Sequence, residues 1–208
     1  AQVSSNFNLE NDYIKSTHKL CETIGSFGQY DLVEIWTLNQ EKKHMQLMNH
    51  YVGATEDEAF YSFDHQIKVF KESEGLIGRV WSAQFQIMWN EIGHNEDFKR
   101  RLSAKKIGLK SAIGIPLTSN NEVIGVLMVG TKKSSKHLAN NTKALQGLNG
   151  YIGSELKRKI LEKDLSHLID SIPDMITVGD FTGRFLKINK AGCEILGYTE
   201  KEILNQSF

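Results

Sequence analysis

Residues 108–131, GLKSAIGIPLTSNNEVIGVLMVGT, contain the pattern that decides the fold. Two apolar runs, SAIGIPLTS and EVIGVLMVGTK, stand on either side of Asn120-Asn121. Asparagine tolerates the left-handed backbone of tight turns better than most residues, so this pair favours a hairpin connection. The segment therefore predicts two strong antiparallel strands joined by a short turn.

The N-terminal part predicts a helix followed by a second hairpin. Residues 8–27 carry apolar side chains at roughly helical spacing. DLVEIWTLN, residues 31–39, and HMQLMNHYV, residues 44–52, flank a polar turn and predict a strand pair. Glu34 and Trp36 fall on the same face of the first strand, because side chains alternate along a strand.

The middle of the chain predicts short elements. Residues 53–74 mix aromatic and charged residues without a clear period. EGLIGRVWSAQ, from residue 74, predicts a short helix, and QIMWN, residues 86–90, predicts a strand. EDFKRRLSAKKIG, residues 96–108, predicts a helix that ends at the glycine. Its inward residues are expected to be Phe98, Leu102 and Ile107.

The same segment contains a basic cluster. We interpret it as a solvated helix face rather than a nucleic-acid contact. Its members are Lys99, Arg100, Arg101, Lys105 and Lys106.

Leucine and isoleucine at spacings of three and four predict one long helix over residues 136–171, heptad-like in its later part. Pro173 stops it. Strand, turn, strand and helix signals follow, and Thr199 with Glu202 fits a capping box. The fold class is α+β: an antiparallel sheet flanked by helices, a long helix, and the start of a second domain.

Two stretches resemble known families. EGLIGRVWSAQFQIMWNE, residues 74–91, followed by the 108–131 hairpin, resembles the GAF domain, and the likeness extends over roughly residues 10–155. The resemblance implies a GAF domain in residues 1–135, closed by the start of a connecting signalling helix, residues 136–172.

Residues 173–208 resemble the beginning of a PAS domain. The runs Asp-x-x-Gly-x-Phe-x-x-x-Asn-x-Ala, from Asp180, and Leu-Gly-Tyr-Thr-x-x-Glu, from Leu196, carry this likeness. Only about the first third of a PAS domain is present, so we expect the chain to be a segment of a longer signalling protein.

The layout resembles the input region of bacterial two-component sensor histidine kinases, and regulators that make cyclic dinucleotides use the same modules. We expect a non-catalytic sensory and relay module, because the chain shows no nucleophile–base pair and no phosphate loop. A constitutive dimerisation scaffold without a ligand is the alternative. Reductases of free methionine sulfoxide also use a GAF fold, but they require pocket cysteines.

The composition narrows the classes of partner and the cellular setting that we expect for this chain. The formal net charge is zero, which gives no general attraction to nucleic acid or anionic membrane. No apolar run approaches the roughly 20 residues that span a bilayer. Cys21 and Cys193 match no metal or disulfide spacing, which favours a reduced, cytoplasmic setting.

The resemblance implies a pocket between the sheet and the helices over it, although a lining of this kind also resembles an ordinary core. No cysteine lies between Cys21 and Cys193, which excludes a covalent bilin within the GAF core. Haem would need an axial ligand such as His44, His50, His65 or His94, none of which stands out. The cofactor is left unknown. The expected lining residues are Trp36, Met48, Phe70, Trp81, Trp89, Ile113 and Met128.

The long helix is expected to pair with a second copy in a parallel homodimer, because an isolated apolar seam of this length requires cover. The expected seam and signalling positions are Leu145, Leu148, Ile152, Leu156 and Leu165.

Overall fold

The computed structural model describes residues 13–63 and 67–204. The chain divides into two compact units between Lys157 and Arg158. Each unit has its own sheet.

The first unit is built on a six-stranded antiparallel sheet with the order β3-β2-β1-β6-β5-β4. Both predicted hairpins are confirmed, and they meet where β1 pairs with β6 at the centre of the sheet. The strands are β1 (Leu32–Leu38), β2 (Met45–Val52), β3 (Val69–Phe70), β4 (Ile87–Asn90), β5 (Ser111–Ser119) and β6 (Glu122–Thr131).

The turn between β5 and β6 has the predicted chemistry. Asn120 and Asn121 have φ angles of 50° and 64°, so both adopt the left-handed backbone. Two consecutive residues of this kind match the twist of a tight hairpin. The turn therefore closes directly onto the Ser119–Glu122 pair.

Six helices of the described residues accompany this sheet. None of the helices in residues 13–63 and 67–204 has the length and apolar character that a bilayer crossing demands. The first is confirmed from residue 13 onward, whereas its predicted start at residues 8–12 lies outside the described part. The helices are α1 (Tyr13–Gly28), α2 (Ala59–Phe63), α3 (Gly75–Ala83), α4 (Arg101–Ile107), α5 (Ser135–Gln146) and α6 (Asn149–Ser171).

Both faces of the sheet are covered. One core lies between the sheet and the segment that carries α2, α3 and α4, with Trp36, Phe60 and Leu76 among its buried members. The other face packs against α1, α5 and the beginning of α6, where Cys21 and Leu156 are buried. This explains why β1, β5 and β6 are apolar on both sides.

The segment without a clear period, residues 53–74, contains a 3-10 turn (Thr55–Glu58), α2 and the short β3. Its anchor is Asp57, a buried carboxylate that accepts a 2.6 Å hydrogen bond from the Lys132 ammonium, just after β6. A buried carboxylate must be paired with a positive charge or a donor. The contact therefore fixes this segment against the end of the sheet.

Helix α4 corrects one prediction. It ends at Gly108 as expected, but Leu102 is 57% exposed rather than inward. The helix begins only at Arg101, and its buried positions are Ser103 and Ala104. Because successive helical residues are rotated by about 100°, burial of these two turns Leu102 toward solvent.

The predicted helix over residues 136–171 is interrupted. Gly147 and Leu148 separate α5 from α6, and Gly150 follows at once. Glycine costs roughly 1 kcal/mol relative to alanine inside a helix, so two glycines here weaken a continuous helix.

The second unit contains the end of α6 and a two-stranded sheet of β7 (Thr177–Gly179) and β8 (Phe185–Ile188). Two short helices follow, α7 (Lys190–Leu196) and α8 (Glu200–Ile203). In the turn of the hairpin the Asp180 carboxylate accepts hydrogen bonds from the Thr182 and Arg184 backbone N–H groups. The capping box of Thr199 and Glu202 is confirmed.

The close approach of α6 to the sheet yields a test. A Cβ atom on Gly153 would lie 2.2 Å from the Thr118 carbonyl oxygen, whereas one on Gly150 would meet only the Thr118 hydroxyl at 4.0 Å. Gly153→Ala is expected to lower the free energy of unfolding by about 2 kcal/mol, because backbone on both sides must shift.

Gly150→Ala, one turn earlier, serves as the matched control. It is expected to raise stability by up to about 1 kcal/mol through helix propensity. Urea unfolding followed by circular dichroism measures both. Equal effects of the two substitutions would contradict the packing of α6 described here.

Candidate functional site

The central strand β1 places a carboxylate inside the protein. Glu34 lies on the same face of β1 as Leu32 and Trp36, the face covered by α2, α3 and α4. Its side chain is 0% exposed. The strands β2 and β6 pair with β1 on its two sides, and they place His50 and Met128 directly opposite Glu34. An ionised carboxylate in such a position requires a positive partner and several donors.

The partner is Arg100, the residue immediately before α4, whose side chain is only 3% exposed. Its two terminal nitrogens donate to the two Glu34 oxygens at 2.5 and 2.7 Å. One of them also lies 3.7 Å from the Met128 sulfur. This two-point pairing uses the planar geometry of guanidinium, which lysine cannot reproduce.

Aromatic rings surround the guanidinium, and we call this set with Glu34 the cation cage. Attraction between a cation and the face of an aromatic ring extends to about 6 Å from the ring centroid. The distances from the Arg100 guanidinium carbon to the ring centroids are 4.7 Å for Phe60, 5.2 Å for Trp36, 5.8 Å for Phe70 and 6.0 Å for Phe98.

Glu34 is held by two further donors. The Tyr61 hydroxyl donates to one oxygen at 2.8 Å and the Trp36 indole N–H donates to the other at 2.9 Å. Burial raises the pKa of Glu34, but the charge and hydrogen bonds of Arg100, with those of Tyr61 and Trp36, outweigh it and hold the pKa below its usual range. Burial also raises the pKa of the Tyr61 hydroxyl well above its ordinary value, and the Glu34 charge adds to this effect.

The structure brings three of the predicted lining residues to the cage. Trp36 and Phe70 form two of its walls and touch edge to face, with ring centroids 5.0 Å apart. Met128 lies against the guanidinium.

Two more predicted lining residues, Trp81 and Trp89, are half-buried at the margin of the same core. Trp89 lies under the Arg79 guanidinium at 5.4 Å, and Arg79 pairs with Asp97 at 2.7 Å. Arg79 is thus already engaged in a surface ion pair.

The remaining two predicted lining residues lie elsewhere. Ile113 is buried, but its neighbour Gly114 faces Val80 and Val126 of the cage side, so Ile113 points to the opposite face. Met48 is half-buried at the bulge of β2, between the partners of Ile35 and Trp36.

Sequence reasoning missed the polar half of the cage. The interpretation of the basic cluster as a solvated helix face is wrong for Arg100, because this residue is buried. The available signal was Glu34, a charged residue on the core face of a central strand, which demands a buried cation. Phe60 lay in the segment without a clear period.

The candidate cofactor residues lie apart from the cage or flank it. Cys21 is buried on α1, on the other face of the sheet, where burial raises the pKa of its thiol. His44 is half-buried and His94 is exposed, while His65 lies outside the described residues. His50 stacks on Tyr61 with ring centroids 4.0 Å apart. Among residues 13–63 and 67–204, no cluster of three or more metal-ligating side chains occurs.

The architecture is that of an α+β domain in which the cation cage lies between an antiparallel sheet and an overlying helical segment. Residues 17–154 match the family model of the GAF domain, which is more than half of the 208 residues. The chain belongs to the GAF domain family. Residues 163–208 match the PAS fold. A comparison with curated proteins found no match.

Solved structures show the same fold at low sequence identity. The A. aeolicus nlh2 GAF domain in an inactive state is 17% identical with a TM-score of 0.62, covering 76% of this chain and 93% of that one. The GAF domain of an Acinetobacter phosphoenolpyruvate-protein phosphotransferase is 18% identical with a TM-score of 0.58, covering 78% and 93%. Free methionine-R-sulfoxide reductase from Neisseria meningitidis, in complex with its substrate, is 14% identical with a TM-score of 0.58, covering 77% and 87%.

Removal of one ion-pair partner gives the first test of the cage. Arg100→Met is expected to lower the free energy of unfolding by about 3–5 kcal/mol, because Glu34 keeps a buried charge without its cation. Glu34→Gln/Arg100→Met should recover part of this loss, since glutamine is neutral and still accepts hydrogen bonds.

Arg101→Met is the matched control, because Arg101 is half-buried and its pair with Glu96 is exposed. It should change stability by less than about 1 kcal/mol. Denaturant unfolding of all four proteins makes the comparison. An Arg100→Met protein as stable as the Arg101→Met control would contradict the cage.

The ion pair also predicts an acid-sensitive fold. Folding lowers the pKa of Glu34, so the unfolded chain binds its proton at a higher pH than the folded protein does. The stabilisation is complete above the ordinary glutamate pKa of about 4.3 and is lost as pH falls through the lower value of the folded protein. Glu34→Gln should flatten this part of the stability–pH curve, whatever its effect at neutral pH.

Stability is measured by urea unfolding between pH 3 and 7. The exposed Glu72 provides the control substitution Glu72→Gln, which should keep the wild-type slope. A Glu34→Gln protein with the wild-type slope would show that other carboxylates dominate acid unfolding.

Proposed function

We propose that this chain is a non-catalytic sensory and relay module, in which the GAF domain reads a signal at the cation cage and α6 passes it to the PAS-fold unit. GAF and PAS domains are sensory and signalling domains. The observation that carries the proposal is the buried Glu34–Arg100 pair. This pair ties the central strand β1 to the connection between β4 and α4, which carries Arg100.

Packing supports a route from the cage to α6. A Cβ atom on Gly125 would lie 2.4 Å from the Trp36 carbonyl oxygen and 3.6 Å from a Leu156 methyl group. Gly125 thus lets β1 and α6 approach each other closely at one point of the sheet. A displacement of Trp36 would be felt at the first half of α6, because closely packed interiors transmit small shifts.

The second unit is tied to the end of α6 by Asn189. Its amide nitrogen donates to the carbonyl oxygens of Ile169, Ile172 and Asp174 at 2.9–3.3 Å. Its amide oxygen accepts from the backbone N–H groups of Ile176 and Gly192. One buried side chain therefore joins the end of α6, the approach to β7 and the start of α7.

A parallel homodimer through α6 is part of this proposal. The predicted seam positions Leu145, Ile152 and Leu156 are buried in the first unit, and Leu148 is half-buried. Of the predicted set, Leu165 lies on an exposed apolar stripe. The stripe has heptad spacing, typical of a coiled coil. Its members and their exposed fractions are Leu161 53%, Leu165 56%, Leu168 65% and Ile172 39%.

The parent protein is proposed to be a two-component sensor histidine kinase in the cytoplasm, and a regulator that makes cyclic dinucleotides would accept the same module. A constitutive scaffold is the second candidate, and one observation favours it: the protein's own Arg100 occupies the cage. A sulfoxide reductase is disfavoured, because the buried Cys21 lies on the opposite face and Cys193 lies in the second unit.

The dimer is tested by charging the stripe. Leu165→Asp/Leu168→Asp is expected to convert the dimer to monomer, since two aspartates per chain would repel each other across the seam. Sedimentation velocity at micromolar concentration measures the change.

Leu102→Asp is the control, because Leu102 is a similarly exposed leucine on α4. It should leave the dimer intact. A Leu165→Asp/Leu168→Asp protein that stays dimeric would place the interface elsewhere, and a wild-type monomer would remove the dimeric relay.

A further inference from the structure

The cation cage has the composition of a binding site rather than that of an ordinary core. A carboxylate presents both oxygens to one planar cation, and four aromatic rings stand around that cation. Aromatic boxes with an acidic group are a recurrent way to bind organic cations. Apolar side chains would fill the same space without the cost of desolvating two charges.

Most of the cage stands without Arg100. Glu34 and Trp36 belong to the central strand, Phe70 belongs to β3, and Phe60 belongs to α2. The Glu34 carboxylate is oriented by Tyr61 and Trp36, which remain when the guanidinium leaves. A cation that arrives from outside would thus meet an acceptor that is already positioned.

Arg100 itself belongs to an irregular segment of the chain, the connection between β4 and α4. The chain between β4 and α4 has no strand and no complete helix, and Arg100 precedes a helix of seven residues without a side-chain cap. Its backbone φ and ψ angles are −102° and 33°, outside the helical region. The side chain that fills the cage is therefore carried by an irregular connection, whereas the carboxylate is carried by the centre of the sheet.

We propose that the cage is a receptor site for a small alkylguanidinium molecule, for which Arg100 is the built-in competitor. The incoming guanidinium would take the two Glu34 oxygens and the aromatic walls, and Arg100 with the start of α4 would be released. This inference rests on the proposed sensory function and names its ligand class. Ammonium ligands fit less well, because they lack the planar pair of donors.

Competition with the Arg100 side chain sets the apparent affinity for an incoming guanidinium. A ligand that binds only when Arg100 has left the cage binds more weakly in proportion to the small fraction of protein in that state. Arg100→Ala removes the competitor, so its affinity for methylguanidinium is expected to be at least about 10-fold tighter than that of the wild-type chain.

The decisive experiment is a titration of the wild-type chain with methylguanidinium and with L-arginine up to about 50 mM, a concentration far below the denaturing range. The Trp36 indole N–H resonance is observed by NMR, because this group donates to Glu34 and reports on the cage. Hydrogen exchange of residues 98–107 is measured in parallel. We expect a saturable shift of the Trp36 signal and faster exchange in this segment.

Three controls make the result specific. Methylammonium at equal concentration should give no saturable shift. Arg101→Ala should titrate as the wild type does, because it removes a neighbouring charge outside the cage. Arg100→Ala should gain thermal stability from methylguanidinium, and Glu34→Gln/Arg100→Ala should gain none.

The outcomes separate the inference from the proposed function. Binding by Arg100→Ala with no response of the wild type would make Arg100 a permanent structural plug and overturn the inference. Equal responses to methylammonium would overturn the ligand class. Should Arg100→Ala fail to fold, the wild-type titration alone decides. The dimer experiment on Leu165 and Leu168 is independent, so the relay can stand while this inference falls.

Discussion

The buried carboxylate of Glu34 is the constraint on which the rest of the first unit depends. A charge at the centre of a sheet is tolerated only when desolvation is offset by a cation and by hydrogen bonds. Arg100, Tyr61 and Trp36 supply these. They come from the central strand and from two parts of the overlying segment, so satisfying one side chain also dictates where that segment lies.

The sheet separates two cores that differ in composition. On one side, apolar residues of α1, α5 and the beginning of α6 pack against the sheet, and this packing fixes the first part of α6 to the domain. On the other side, aromatic rings and charges share the interior. A buried charge that loses its partner keeps an uncompensated desolvation cost, so breaking the Glu34–Arg100 pair costs more free energy than a small shift between apolar side chains does.

Local pattern predicted the elements well, and long-range pairing limited the prediction of the site. The hairpins follow from alternation and from Asn120-Asn121, and the helix ends follow from Gly108 and the Thr199 capping box. Trp36 and Phe70, which the sequence predicts to line a pocket, stand beside the Arg100 guanidinium. The sequence does not single out Arg100, because its partner lies 66 residues away and its neighbours are solvent-facing cations. Leu102 is predicted to face inward, but Ser103 and Ala104 take the buried positions of α4.

The stripe on α6 has a consequence for anyone who joins this chain to another output. A coiled-coil seam repeats every seven residues, so the side of the helix on which it lies depends on the number of residues that precede it. We call this angular position the phase of the stripe. An insertion of seven residues ahead of Leu161 would nearly preserve that phase, whereas an insertion of two or five residues would turn the stripe by roughly 140–160°, to the far side of the helix. Functional fusions should therefore occur at periodic linker lengths, with silent lengths between them.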